Sequence, residues 1–429
     1  MSEKETKKGR YSTKTTVKLM ITVFLFLVGV GFISYGIIDY LSADAGYQDI
    51  EYGFVENSEG ESIYPLQEVT LTYYFAEGGF STNAEMTKIV EKTQDDFNYV
   101  HILFDSKNLF VNESSEVIHN LAYINENPNT SIEVDELLYD SLKSAYEYTI
   151  SSNGVYNVYG GEILTFWDSV ATNSAITDPA INPVYANRLN AIVSEVNAFS
   201  ADSSQGLVFN DANKSIEYRV TTPSDNITLD LQILKSAYAM EYLRTAINAE
   251  GYASGLLSSE YGFVLSLGAN PQLENGLWSY NIYEPYYSSL EEYPLLATFL
   301  GDNSLSAVCF NTYFNNFYFI QDDDEVIIGR NFYYDARNGY NKNPLETTVF
   351  STGYLSASAS LAEMGVNALL NITCETLEDT NNQIASYGSE TILGYAVYGN
   401  YKDADFILSC EYADRFYITS TNTTSHVIA

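Results

Sequence analysis

The sequence predicts an α+β fold. Residues 133–150 and 233–248 carry apolar side chains at helical spacing. Later in the chain, residues 314–320 and 326–334 are rich in strand-forming residues and flank an acidic turn, a pattern typical of a β-hairpin. Helices combined with antiparallel strands indicate an α+β protein with mixed or antiparallel sheets.

The elements of the first half can be taken in chain order. Residues 69–75 alternate in polarity and predict a strand. Residues 83–97 predict a helix, which Asn83 could cap. The helix predicted over residues 133–150 ends at Asn153-Gly154, two residues that tolerate the left-handed conformation at a helix terminus.

The second half is richer in strands. Residues 262–267 predict a short apolar strand, and residues 406–408 and 416–419 predict a closing strand pair. Residues 361–370 predict a helix. The acidic residues 321–325 lack the ligand spacing and central glycine of a calcium loop, so they predict a solvated turn.

A transmembrane helix is predicted over residues 19–40. Residues 19–38 contain no charged side chain, and a helix of that length spans about 30 Å, the hydrocarbon thickness of a bilayer. Six basic residues precede this stretch against two acidic ones, which predicts a cytoplasmic N-terminus. A cleaved signal peptide is the alternative, because Ala43-Asp44-Ala45 resembles a cleavage site.

These features predict a single-pass protein of the cell membrane whose main domain is extracellular. The predicted segments are a basic cytoplasmic tail (1–18), the transmembrane helix (19–40), a juxtamembrane linker (41–65), a globular domain (66–420) and a C-terminal tail (421–429). The globular domain is long enough to bury a large core.

The composition excludes some partners and metals. Residues 39–429 contain 14 basic and 54 acidic residues, a formal net charge of −40, which disfavours nucleic acid as a partner. The three cysteines and three histidines are too scattered for a disulfide framework or a histidine-rich metal site. A bound metal would therefore need oxygen ligands, which suit Mg²⁺ or Ca²⁺.

Three segments combine polar side chains with small residues. Residues 154–157 read Gly-Val-Tyr-Asn and directly follow a predicted helix. Residues 229–239 read Leu-Asp-Leu-Gln-Ile-Leu-Lys-Ser-Ala-Tyr-Ala and open the next predicted helix. Residues 264–270 read Val-Leu-Ser-Leu-Gly-Ala-Asn at the end of a predicted strand.

Two further segments lie closer to the C-terminus. Residues 332–340 read Phe-Tyr-Tyr-Asp-Ala-Arg-Asn-Gly-Tyr, a strand followed by a turn. Residues 361–369 read Leu-Ala-Glu-Met-Gly-Val-Asn-Ala-Leu. Glu363 and Asn367 are four apart, so they share one face of a helix and offer two oxygen ligands to a hard cation.

In this order the five segments resemble the ApbE-type FAD:protein FMN transferase family over residues 66–420. The resemblance implies an ApbE-like fold that binds FAD as its substrate. It also implies a Mg²⁺ site formed by Glu363, Asn367 and the backbone carbonyl of Ile233. The flavin-binding positions that it implies are Val155, Tyr156, Asn157, Asp230, Ser236, Tyr333 and Asp335.

Several positions depart from the family pattern. Asn157 stands where the family has aspartate, and Ser236 where it has lysine. Gln232 replaces a glycine whose purpose is close backbone approach to the ligand. Phe332 replaces a histidine. These departures leave the catalytic residues unassigned.

The resemblance implies a membrane-anchored enzyme outside the cytoplasm. Such an enzyme transfers FMN from FAD to a threonine or serine of an exported acceptor protein with the help of Mg²⁺. Two alternatives follow from the departures. The chain could be a catalytically inactive flavin-binding module, or a surface scaffold or adhesion protein that retains the fold.

Overall fold

The computed structural model describes residues 45–76, 80–173, 177–283, 295–311, 316–322, 325–341, 348–400, 405–410, 413–418 and 423–427. The described residues divide into two compact units, one that includes 45–48, 74–76 and 80–89 and another that includes 49–73 and the described residues from 90 onward. In the first unit the rings of Tyr47 and Tyr74 pack edge to face, with their centroids 5.3 Å apart. The second unit holds most of the helices and strands.

The described residues form eight α-helices and one short 3₁₀ helix. The α-helices are α1 (Phe80–Phe104), α2 (Leu121–Glu126), α3 (Glu136–Ser151), α4 (Gly161–Thr172), α5 (Pro183–Ala201), α6 (Leu234–Ala249), α7 (Leu361–Thr373) and α8 (Leu377–Tyr387). The 3₁₀ helix is Ala413–Arg415.

The described strands are mostly short. They are β1 (Gly46–Ile50), β2 (Val55–Glu56), β3 (Ser62–Ile63), β4 (Val69–Phe75), β5 (Ser131–Glu133), β6 (Gly206–Asn210), β7 (Ser215–Arg219), β8 (Gly255–Ser259), β9 (Phe263–Ser266), β10 (Ser279–Tyr283), β11 (Leu295–Leu300), β12 (Ser306–Asn311), β13 (Asn316–Asp322), β14 (Glu325–Asn331), β15 (Tyr334–Asp335), β16 (Tyr340–Asn341), β17 (Thr348–Ser356), β18 (Ile392–Asn400), β19 (Asp405–Cys410), β20 (Phe416–Ile418) and β21 (Thr423–Val427).

One long sheet organises the strands. Its order is β1-β4-β8-β9-β12-β17-β18-β19-β21. The register from β4 to β19 is antiparallel at each step, and β21 pairs in parallel with β19. Smaller sheets have the orders β10-β11-β20 and β5-β7-β6. Helices and predominantly antiparallel sheets confirm the predicted α+β class.

Helix α7 packs on the long sheet through β12 and β17, and α6 packs against α7, β8 and β9. The close approach of α7 to the long sheet depends on Gly365, because a Cβ atom at that position would lie 2.9 Å from the ring of Phe263 in β9. Helix α7 buries most of its residues and α6 half of them, and Leu234, Ser236 and Leu361 are fully buried. The segments predicted to carry the chemistry therefore belong to the core of the fold.

Several predicted elements agree closely with the structure. Strand β4 and helix α6 lie within one residue of their predicted bounds. The predicted hairpin is present as the antiparallel pair β13–β14. Asp135 caps α3 by accepting the Leu137 amide N–H at 2.8 Å. That helix ends at Ser151, and the Asn153 and Gly154 that follow have φ angles of 52° and 79°, as the turn chemistry predicted.

Other elements differ. Helix α1 begins before Asn83, so this residue is not its cap. The two strands predicted to close the fold as a pair lie in separate sheets, because β20 pairs with β11 while β19 pairs with β18 and β21. Short sequence separation had favoured pairing between neighbours.

Two predicted boundary segments contain strands. The segment predicted as a juxtamembrane linker, 41–65, includes β1, β2 and β3, and β1 joins the long sheet. The predicted tail, 421–429, includes β21 at the other end of that sheet. The polar composition of both segments predicted irregular structure, although each contributes an edge strand to the sheet. The transmembrane segment predicted over 19–40 lies outside the described residues, and no helix among the described residues is long and apolar enough to cross a membrane.

Candidate functional site

Two segments predicted to bind flavin lie side by side. The Asp230 amide donates to the Val158 carbonyl oxygen at 2.9 Å, and the Gly161 amide donates to the Thr228 carbonyl oxygen at 3.0 Å. A parallel bridge joins Gly160 to Thr228. The loop after α3 is therefore fixed against the loop that leads into α6.

The loop that contains Asp335 adjoins the same place. The Ala336 amide donates to the Val155 carbonyl oxygen at 2.9 Å. The Tyr334 hydroxyl approaches the Gly160 carbonyl oxygen at 3.5 Å. Three segments that are remote in sequence, and that the sequence predicted to share one ligand, thus meet in the fold.

The Asp230 carboxylate is held by two donors. Its Oδ2 accepts the Ser106 hydroxyl and its Oδ1 accepts the Gln232 amide N–H, both at 2.5 Å. Asp168 on α4 lies close enough to Asp230 for the two carboxyl groups to interact electrostatically. Burial raises the pKa of Asp168, the positive charge of Lys107 opposes this, and the negative charge of Asp230 adds a smaller increase. Two carboxylates, Asp168 and Asp230, therefore lie near each other in the site.

Gln232 shows what has replaced the glycine of the family pattern. Its φ angle is +53°, a left-handed conformation that glycine adopts without strain. Its side chain is buried, and Nε2 donates to the Asn157 carbonyl oxygen at 2.6 Å. A Cβ atom on Gly160 would lie only 2.9 Å from Nε2. The backbone conformation thus suits glycine, while the amide side chain fills the space that glycine would leave.

The other predicted flavin positions here are buried. Tyr156 is 1 % exposed and donates its hydroxyl to the Leu231 carbonyl oxygen at 3.2 Å. Asn157 donates to the Ser200 hydroxyl at 2.9 Å. Ser236 is fully buried on α6, and its Oγ has no hydrogen-bond partner among the described atoms. These buried positions therefore belong to the packed interior beneath the loops: Val155, Tyr156, Asn157 and Ser236.

A buried ion pair next to this site was not predicted. Lys235 Nζ lies 2.9 Å from Glu68 Oε1, and both side chains are mostly buried. Burial raises the pKa of the Glu68 carboxyl, but the charge of Lys235 and the hydrogen bonds to the carboxylate together outweigh burial and lower this pKa. The positive charge missing at Ser236 is thus present one residue earlier. Lysine in the predicted motif was the available signal, but its partner 167 residues away was not recognisable.

The loop 333–340 lines a cavity of about 280 Å³ together with the C-terminal half of α7. Asp335 binds Arg337 through two nitrogens, with Nη2 2.7 Å from Oδ2. Tyr333 is 1 % exposed and donates its hydroxyl to the Tyr261 carbonyl oxygen at 3.1 Å. Asp335 and Arg337 are the charged residues that this loop contributes to the cavity lining.

The predicted metal ligands are divided between two helices. Glu363 and Asn367 lie on one face of α7, with the Asn367 Nδ2 donating to the Glu363 carbonyl oxygen at 2.9 Å. Ile233 is buried at the start of α6. Helix α6 packs against α7, and its Glu241 accepts the Leu361 amide N–H at the start of α7 at 2.6 Å. The structure therefore brings Glu363 and Asn367 together on α7, while Ile233 belongs to the start of the neighbouring helix.

The oxygen atoms of Glu363 and Asn367 determine which kind of metal ion could bind on this face of α7. Glu363 is exposed and offers a carboxylate, and the Asn367 Oδ1 faces Gln383 at 3.5 Å. Two oxygens suit Mg²⁺, which commonly uses one or two carboxylates together with substrate phosphates and water. Within the described ranges, no three His, Cys, Asp or Glu side chains lie close enough to form a metal site of their own.

The long antiparallel sheet, covered by α6 and α7, and the three adjoining loops define an α+β fold of the ApbE type. A solved ApbE protein from Thermotoga maritima is 16 % identical, with a TM-score of 0.52 over 82 % of this chain and 94 % of that one. The flavin transferase ApbE from Vibrio cholerae is 13 % identical, with a TM-score of 0.50 over 83 % and 94 %.

A third solved structure, the apo flavinyl transferase ApbE from Pseudomonas stutzeri, is 11 % identical, with a TM-score of 0.52 over 83 % of this chain and 92 % of that one. No protein-family model matches the sequence. No curated protein matches it significantly either. The likeness to the solved structures confirms the ApbE-like fold that the five motifs predicted.

Proposed function

We propose that this chain is a membrane-anchored, extracytoplasmic FAD:protein FMN transferase. In this reaction an acceptor threonine or serine oxygen forms a bond to the FMN phosphorus of FAD. The pyrophosphate bond breaks, AMP leaves and the hydroxyl proton is released. The meeting of residues 155–161, 228–232 and 334–337 in an ApbE-like fold carries this proposal.

The described side chains suggest a division of roles. Asp230, held by Ser106 and the Gln232 amide, is positioned to accept a hydrogen bond from the flavin. Asp335 orients Arg337, whose guanidinium supplies positive charge at the cavity for a phosphate. Asp230 and Asp335 thus bind the substrate, and Arg337 offsets part of its negative charge.

Glu363 and Asn367 are proposed to hold Mg²⁺, because they are two oxygen donors on one helix face. Mg²⁺ would neutralise charge that develops on the phosphate oxygens during transfer. The backbone carbonyl of Ile233 would be a third oxygen ligand by the family resemblance, and the substrate phosphates and water would complete the coordination.

A second candidate function is a catalytically inactive flavin-binding module. The Gln232 side chain, bound to the Asn157 carbonyl oxygen, favours this candidate, because it occupies the space that the family keeps open with glycine. Phe332 in place of histidine favours it as well. A surface scaffold that does not bind flavin is the third possibility.

One experiment separates these functions. The full-length chain is purified in detergent and incubated with FAD and Mg²⁺. Flavin binding is followed by fluorescence, AMP release by chromatography, and FMN transfer by the mass of a threonine-containing acceptor peptide. AMP release with a flavinylated peptide supports the transferase. Binding without AMP release supports the inactive module, and an absence of binding supports the scaffold.

A further inference from the structure

A second pocket lies in the part of the fold around α1 and α2. It has a volume of about 730 Å³. Its walls come from the C-terminal half of α1, the loop 111–119, α2 and the residues before α3. The lining residues used below are Tyr99, Glu116, His119, Tyr123, Glu133 and Asp135. Neither the flavin motifs nor the proposed metal ligands belong to this pocket.

The loop wall of the pocket is rigid. Val111 and Val117 form an antiparallel bridge. Between them, the Asn112 amide donates to the Glu116 carbonyl oxygen at 2.9 Å, and the Asn112 side chain accepts the amides of Ser114 and Glu116. These hydrogen bonds therefore fix the conformation of the loop that forms this wall of the pocket.

Aromatic rings form another wall. The rings of His119 and Tyr123 stack, with their centroids 4.5 Å apart and their planes inclined by 16°. His119 Nδ1 lies 2.8 Å from the Glu133 carbonyl oxygen. A carbonyl oxygen can only accept, so Nδ1 carries a proton in this contact. Tyr99 donates its hydroxyl to the Asp135 carboxylate.

The pocket carries a strong excess of negative charge. Glu116, Glu133 and Asp135 line it, and the described lining residues include no lysine or arginine. Among the described residues, no ion pair neutralises any of these three carboxylates. Carboxylates beside aromatic faces form an environment that attracts an organic cation.

We propose that this pocket binds a lysine or arginine side chain presented by a peptide segment of a partner protein. The cation would enter the negatively charged pocket beside the rings of Tyr99 and Tyr123. The rim favours a peptide over a free amine, because Val111 and Val117 are 44 % and 42 % exposed and can contact flanking apolar residues. The strongly acidic chain also attracts basic partners. The proposal does not depend on flavin chemistry.

The test uses blocked pentapeptides with the sequence acetyl-Ala-Val-X-Val-Ala-amide. X is lysine, arginine, norleucine or glutamate, and binding to the full-length chain is measured by calorimetry at low salt. We expect the lysine or arginine peptide to bind at least 10-fold more tightly than the norleucine peptide, and the binding to weaken with salt. Cadaverine serves as a free-amine probe and should bind more weakly than the peptide.

Variants locate the site. Glu116→Gln/Glu133→Gln should weaken the lysine peptide by about 10-fold or more and leave the norleucine peptide unchanged. Tyr123→Leu should weaken it as well. Glu390→Gln removes an exposed charge outside the pocket and is the matched control. Equal binding of lysine and norleucine peptides, or no effect of the double variant in a chain with unchanged thermal unfolding, would overturn the site. Cadaverine binding as tightly as the peptide would overturn the peptide partner.

Discussion

The side-chain amide of Gln232 donates a 2.6 Å hydrogen bond to the backbone carbonyl oxygen of Asn157. This bond links two of the loops that form the candidate site. It also occupies space between Asn157 and Gly160 that a glycine at position 232 would leave open. We therefore expect this side chain to affect the proposed binding of a flavin nucleotide.

Replacing Gln232 by glycine should tighten FAD binding by about 10-fold, because the amide no longer fills the loop junction. The change in unfolding free energy should stay within about 1 kcal/mol, since relief of the left-handed backbone offsets the lost hydrogen bond. Gln232→Ala is the matched control, because it removes the amide and keeps the Cβ at a positive φ. FAD titration and urea unfolding measure both quantities. Unchanged FAD affinity in Gln232→Gly would contradict the blocking role.

Removing the Glu363 carboxylate tests the proposed metal pair. Glu363→Ala should abolish Mg²⁺-dependent AMP release and the heat of Mg²⁺ binding in the presence of FAD. The reason is that the neutral Asn367 oxygen would then be the one side-chain ligand left for the metal. Glu390→Ala removes another exposed carboxylate and should retain both signals. A Glu363→Ala variant with unchanged turnover would exclude this metal site.

Acid should destabilise the fold through His101. Burial, and then the nearby charge of Lys235, lower the pKa of this imidazole from 6.5 to about 4. The unfolded chain therefore binds a proton near pH 6.5 that the folded chain refuses until near pH 4, so stability falls in that window. The loss attributable to His101 is about 2 kcal/mol at pH 5.

The measurement is urea unfolding of the parent chain and His101→Gln at pH 7 and pH 5. Glutamine keeps an acceptor for the Leu66 amide, which His101 Nδ1 accepts at 3.4 Å, but does not titrate. The decrease in unfolding free energy between the two pH values should be about 2 kcal/mol smaller in the variant. Equal decreases would show that His101 is not a source of acid sensitivity.

The buried pair Arg330–Asp178 should be important for folding. Two guanidinium nitrogens lie 2.8 and 2.9 Å from the carboxylate oxygens, and the guanidinium also lies over the ring of Trp167 at 5.1 Å. Arg330→Met should cost about 3–5 kcal/mol in urea unfolding, because it leaves a buried carboxylate without its guanidinium. Adding Asp178→Asn should recover a large part of this cost. A double variant as unstable as the single one would contradict the charge argument.

The sequence predicted those parts of the fold in which local chemistry decides the outcome. The alternating polarity of residues 69–75 became β4, and the Asn153-Gly154 pair ended α3 in left-handed conformations. The four-residue spacing of Glu363 and Asn367 put both on one face of α7. Periodicity and turn preference are properties of short segments, so one sequence is enough to reveal them.

Other features depended on partners that are far away in sequence. Lys235 was passed over because its carboxylate partner, Glu68, is contributed by a loop before β4. The strand β1 was predicted as part of a linker, because its pairing with the long sheet leaves no local pattern. Tertiary packing decided each of these cases.

The most direct test of the account is an FAD titration of the full-length chain in the presence of Mg²⁺. Quenching of flavin fluorescence should saturate with a dissociation constant below about 100 µM. Asp230→Ala should weaken this binding by at least 10-fold, because Asp230 is held by Ser106 and Gln232 at the junction of the three loops. The absence of any saturable quenching up to about 1 mM FAD, in a chain that unfolds cooperatively, would contradict a flavin-binding site in this fold.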